Sequence, residues 1–176
     1  MTRPSIGACE LPADALLGRY AGAGGYADCW FAEADRAVSL AEYVEAFYTT
    51  PLFRLERTIL RFVASRRSSD ADVRRLARGD ADSFAAWTVE GRATDQLLLA
   101  DFTGRTKSWL CVVPMAGAGA QGTRLYFGSA VVPKRGDGTE SGGLGFVFTS
   151  LLGFHKLYSR ALLGAARSRL ASMVRP

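Results

Sequence analysis

The chain has 176 residues, 48% of them hydrophobic, and a formal charge of +5. That is enough apolar material for one domain with its own core, and it excludes a disordered chain or a small scaffold that needs staples. Nineteen of the 22 basic residues are arginine, but no run of five like charges occurs, and Asp70 and Asp72 break up Arg66-Arg67 and Arg74-Arg75, which speaks against a nucleic-acid-binding tail.

Residues 1–24 read as an irregular lead-in rich in Gly, Ala and Pro. No apolar segment of secretory length opens it. Within it and just beyond, residues 22–27 are GAGGYA, the G-x-G-x-x-A spacing of a dinucleotide-binding fingerprint. That fingerprint needs a strand before it and a helix opening on it, so that the helix N-terminus meets the pyrophosphate. Here ALLGRYA precedes it, which is no buried strand, and YADCWFAEA follows, which is strand-like. The glycines therefore read as an approach to a first strand at 25–34, and no cofactor is expected.

Ser39-Leu-Ala-Glu42 is a capping box, with Val38 and Tyr43 placed as a hydrophobic staple, so a helix is expected over 40–48. Pro51 suits the first position of a second helix, with Leu52, Leu55, Ile59, Leu60 and Val63 as its apolar stripe. Ser69-Asp-Ala-Asp72 caps a third, short helix that Gly79 ends. From residue 83 the period changes to two. SFAAWTVEGRA, DQLLLADFTG, TKSWLCVVPMA and TRLYFGSAVV read as four strands, and their connections are too short for crossover helices, so they form an antiparallel meander. A polar, glycine-rich loop at 133–143 leads into one long helix from about 144 to 173. Its expected core face carries Leu151, Phe154, Leu157, Tyr158, Ala161, Leu162 and Ala165. The apolar run 144–154 is too short to span a bilayer. Packing onto the sheet accounts for it better than membrane insertion, and a cytoplasmic protein is expected.

The fold class is α+β: one domain over 1–176, a curved antiparallel sheet gripping a long C-terminal helix, with two or three short helices after strand one. This order resembles the helix-grip fold of the START-like superfamily, which includes polyketide cyclases and lipid-transfer domains. The opening strand with its helix pair and the closing FHKLYSRALLGAARSRL carry the resemblance. More closely, EAFYTTPLFRLERTIL (45–60), DQLLLADFTGRTKSWL (95–110), TRLYFGSAV (123–131) and LLGFHKLYSRALL (151–163) look like a family of small bacterial proteins with no assigned activity. That family supplies no catalytic residue to carry over. Five strands fall short of the superfamily's usual number, so either a further strand lies in 1–24 or 64–82, or the sheet is trimmed.

The superfamily resemblance implies a cavity between sheet and terminal helix that holds a small apolar or aromatic molecule. By alternation, the concave face would carry Trp87 and Val89; Leu97, Leu99 and Asp101; Trp109, Cys111 and Val113; and Leu125, Phe127 and Ser129. A one-residue slip would reverse any of these sets. Ligand-lining candidates are Trp87, Leu97, Leu99, Trp109 and Phe127, with Tyr126 and Tyr158 for polar contacts.

Catalytic candidates are Asp101, His155 and Tyr158. A cavity-facing Asp101 would suit proton transfer. A turn-facing one would cap the hairpin or pair with Arg105. His155 is the only histidine, which excludes a His-rich metal site, and nothing at the sequence level orients its ring toward Ser159. Cys9, Cys29 and Cys111 lie far apart with no CxxC spacing, so neither a disulfide framework nor a metal site is expected. Three readings follow: a small-molecule binder, a cyclase- or dehydratase-like enzyme, and a homodimeric interaction protein.

Overall fold

A computed structural model describes residues 6–21, 26–55, 68–115, 122–132 and 144–173, with side chains in the last stretch from 157 onward. Four sequence features lie outside the described residues: the glycines of 22–25, the helical stripe beyond 55, the loop 133–143, and the side chains of Leu151, Phe154 and His155.

Among the described residues, seven strands form one antiparallel sheet: β1 (Gly7–Ala8), β2 (Tyr26–Ala34), β3 (Ser83–Phe84), β4 (Trp87–Arg92), β5 (Gln96–Asp101), β6 (Thr106–Met115) and β7 (Gly122–Val131). Their spatial order is β1-β2-β7-β6-β5-β4-β3. The meander from β3 to β7 is as expected, and β2 closes against its far edge along the whole of β7. Both strands beyond the five expected are two residues long. One lies in the lead-in, as β1. The other arises because Ala85 takes a left-handed backbone (φ 53°) and divides the run 83–93.

The helices are α1 (Leu40–Tyr48), α2 (Asp70–Arg78) and α3 (Leu144–Ser172), and residues 51–55 are helical too. Both capping boxes form. Ser39 and Glu42 exchange side-chain and backbone bonds, as do Ser69 and Asp72, and Gly79 ends α2 in the left-handed conformation. In the segment after α1, Phe53 is buried and Leu55 is exposed, which departs from the expected stripe. Thr50 explains the shift. Its hydroxyl accepts from the Phe53 amide and donates to the Phe47 carbonyl, fixing the turn so that Phe53 meets Phe47 and Tyr48.

Helix α3 lies against α1 and β2. Gly164 sits beside Ile6, next to β1, and residues 167–171 meet Glu33–Arg36 at the end of β2. The helix therefore runs in the same direction as β2. Its core face is rotated from the expected one. Ser159, Leu162, Leu163, Ala166 and Leu170 are buried, whereas Leu157 is 68% exposed. The small residues Ser159 and Ala166 let the helix axis approach the sheet closely, and that outweighs the larger apolar surface of Leu157.

The sheet is covered on both faces. On the inner face, α1, α2, α3 and Phe53 pack on Phe84, Trp87, Leu97, Leu99, Leu110, Val112, Leu125 and Phe127. On the outer face, the lead-in forms a strap that includes a 3-10 turn over Leu16–Tyr20. It covers Cys29, Leu98, Trp109, Cys111 and Ala130.

Candidate functional site

Directly paired residues of antiparallel strands share a face, so the register assigns each side chain. Leu97, Leu110, Phe127 and Trp30 form one cross-strand row on the inner face. The next row is Val89, Leu99, Ser108, Ser129 and Asp28. This second row begins apolar and turns polar toward β2. Tyr48 of α1 reaches it, with its hydroxyl 3.0 Å from Ser108 Oγ.

Asp28 is the centre of the polar part. Its carboxylate accepts from Ser129 Oγ at 2.7 Å, the Ser129 amide at 3.2 Å, Trp30 Nε1 at 3.2 Å and the Tyr26 hydroxyl at 3.3 Å. Tyr26, Asp28 and Trp30 alternate along β2, which brings all three to one face. Burial and the neighbouring carboxylate push the Tyr26 hydroxyl up to about 12, so it stays protonated and donates. Among the described residues, two further buried donors on the inner side, Trp87 Nε1 and Ser159 Oγ, have no hydrogen-bond partner. Buried polar atoms are nearly always satisfied, so each such atom calls for an explanation.

The inner face brings together Trp87, Leu97, Leu99 and Phe127, with Tyr158 of α3 partly buried against the same core. It does not include Trp109 or Tyr126. On β6 and β7 those two lie on the outer face, their rings 6.2 Å apart, and Leu110 and Val112 hold the inward positions in place of Trp109 and Cys111. The physical reason is Gln96. Its side-chain oxygen accepts from Trp109 Nε1 at 2.8 Å and from the Leu16 amide at 2.9 Å, and its nitrogen donates to the Asp14 carbonyl at 3.2 Å. The indole N–H thus has a partner only on the strap side. Gly128 completes the arrangement: a Cβ there would come within 2.7 Å of Leu17 and 2.9 Å of Trp109.

Asp101 takes the turn role. Its carboxylate accepts from Thr103 Oγ1 and from the amides of Arg105 and Thr106, closing the β5–β6 hairpin. It is a cap on Arg105's backbone, with no bond to the guanidinium among the contacts described. His155 lies on α3 with its side chain outside the described residues; of the other two catalytic candidates, Asp101 is a turn residue and Tyr158 packs against the core.

Sequence reasoning missed Asp28, Ser129 and Ser108 as a group. Tyr26-x-Asp28-x-Trp30 at strand spacing was the available signal for one face. The cross-strand serines needed the register. It also missed an outer-face cluster in which Lys107, 5% exposed, pairs with Glu90 beneath Tyr20. Burial alone would raise Glu90's pKa, but hydrogen bonds from Lys107 and Tyr20 outweigh it and hold the carboxyl below its ordinary value. Arg19 adds a longer contact at 3.7 Å. These charges are mutually matched and hold the strap to β4 and β6.

A separate cleft of about 400 Å³ lies at the far end of α3, between Glu33–Arg36 and Arg167–Ala171. Among the described residues no group of three or more His, Cys, Asp or Glu is arranged to hold a metal ion, and no helix is long and apolar enough to cross a membrane. Compared with protein-family models, curated proteins and solved structures, the chain matches none.

Proposed function

We propose that the protein is a small-molecule binding domain of helix-grip, START-like type, holding an apolar or aromatic ligand between the inner face of the sheet and α3. The observation that carries this reading is the polar row Asp28–Ser129–Ser108, with the Tyr48 hydroxyl, set into an otherwise apolar inner face; the same side also holds two buried donors without partners among the described residues. Ligand sites combine apolar walls with a few fixed polar groups in this way. Phe127, Trp30 and Leu99 supply wall, and Asp28 supplies a hydrogen-bond acceptor for a hydroxyl or amine on the ligand. The strand order also suits a helix grip, because β2 and β7 pair along their full length under the terminal helix.

The test is native mass spectrometry of the purified chain, followed by titration with an apolar fluorescent probe. A co-purifying small molecule, or saturable probe binding, is the expected result. A ligand-free mass together with no saturable binding overturns the reading.

An enzyme of the cyclase or dehydratase kind is the second reading. What favours it is a partly exposed carboxylate, Asp28, held beside the Tyr26 hydroxyl, a combination able to take and return a proton. Turnover lost in Asp28→Asn while probe binding persists would favour this reading over simple binding.

A further inference from the structure

The lead-in and β2 bring two cysteines face to face. The β1–β2 ladder pairs Gly7 with Phe31 and Ala8 with Trp30, and its next step sets Cys9 opposite Cys29. The Cys9 amide donates to the Cys29 carbonyl at 3.0 Å, and the two Sγ atoms are 3.2 Å apart, both thiols free. Directly opposed residues of an antiparallel pair have Cα atoms about 4.5–5.5 Å apart, inside the range a disulfide spans. All three cysteines are free thiols, yet the fold brings two that are twenty positions apart into contact.

We propose that Cys9 and Cys29 are a dithiol site that reacts with low-molecular-weight disulfides to form an intramolecular disulfide between β1 and β2. Cys9 is the more exposed thiol and attacks first. Its thiolate displaces one thiol from the small disulfide and forms a mixed disulfide. The Cys29 thiolate then attacks the Cys9 sulfur, forms the Cys9–Cys29 bond and expels the second thiol. The two protons lost by the cysteines end on the two released thiols, so the small disulfide is reduced as the pair is oxidised. Burial raises both thiols above their ordinary values, which makes the reaction slow at neutral pH and faster as pH rises.

The third cysteine provides the internal contrast. Cys111 is buried under the same strap, and burial pushes its thiol up to about 12. It has no place in the β1–β2 ladder. Closure of the Cys9–Cys29 bond fastens the start of the strap to β2 and leaves Cys111 reduced.

The test uses the full chain. It is incubated with oxidised glutathione, then denatured and alkylated with N-ethylmaleimide, and the intact mass is read. The expected product has lost two hydrogens and carries one alkyl group, on Cys111. Digestion should yield a cross-linked peptide joining residues 9 and 29. Hydrogen exchange over residues 11–21 should slow in the oxidised form, and Cys9→Ser under the same treatment should show no change in exchange. Three alkylated cysteines, a persistent glutathione adduct, or a bond that includes Cys111 would each overturn the proposal. The wild-type readout does not depend on any variant folding.

Discussion

The two faces of the sheet are finished in different ways. On the outer face every polar side chain described above has its partners. Gln96 serves three groups, and Lys107, Glu90 and Tyr20 satisfy one another. On the inner face the apolar core is equally dense, with Phe47 and Phe127 rings 4.8 Å apart, yet Trp87 Nε1 and Ser159 Oγ are left without partners. Beneath the strap the outer face is matched internally; at its β2–β7 side Arg124 Nε is also left without a partner among the described residues, although the same guanidinium pairs with Glu33. The inner face retains hydrogen-bonding capacity that something other than the described side chains would use.

The sharpest way to break this comparison is Trp109→Ala. If Trp109 anchors the strap, its loss should cost about 3–5 kcal/mol in urea unfolding while leaving probe binding at the inner face intact in the folded fraction. Loss of binding with little loss of stability would place Trp109 at a ligand. Gln96→Ala comes next. It leaves the Trp109 indole and the Leu16 amide buried without partners and should destabilise by about 1–3 kcal/mol, with hydrogen exchange rising first over 14–17.

The Glu90–Lys107 pair should give a smaller, pH-dependent effect. Glu90's folded pKa lies below its ordinary value, so its contribution is present above that value and is lost as pH falls through the folded one. For Lys107, burial lowers the pKa but the bonds to Glu90 and Tyr20 outweigh it. The net shift is upward, so its contribution is present below the ordinary lysine value and lost as pH rises through the folded one. The pair is therefore fully formed from about pH 5 to about pH 10. Glu90→Gln should flatten the stability profile at both ends of that window, by up to about 1 kcal/mol. The smallest effect belongs to the inner face: Ser159→Ala removes a partnerless hydroxyl and should change stability by less than about 0.5 kcal/mol in thermal melts. A large loss would mean that the hydroxyl is satisfied after all, and the contrast between the faces would fail.

Local signals were legible where the cause is local. The capping boxes at Ser39 and Ser69 and the left-handed Gly79 depend on residues within one turn, and all three form as the spacing predicts. The meander was legible because its connections are too short for anything else. The facing of β6 was not. A strand covered on both sides is apolar on both faces, so Trp109-Cys111 and Leu110-Val112 are equally good inward sets until Gln96, thirteen positions earlier, decides between them. The α3 face misled for a related reason, since large side chains were counted where small ones permit close approach. Asp28 escaped notice because its partners on β7 lie about a hundred residues away. The contact between Cys9 and Cys29 depends on a two-residue strand with no pattern of its own.

The position of β2 has a consequence for how the chain comes together. Apart from the short β1, its partner is β7, so the first long strand to be synthesised waits for the last of the described strands. Until residues 122–131 leave the ribosome, Cys29, Trp30 and Phe31 belong to a strand with an open edge. The strap cannot seat on Gly128, and α3 has no strand to lie along. Contacts of such sequence separation close slowly. Nascent chains halted before residue 122 should therefore be protease-sensitive throughout 6–34 and prone to associate through that edge, whereas α1 and α2, with their own caps, need no such delay.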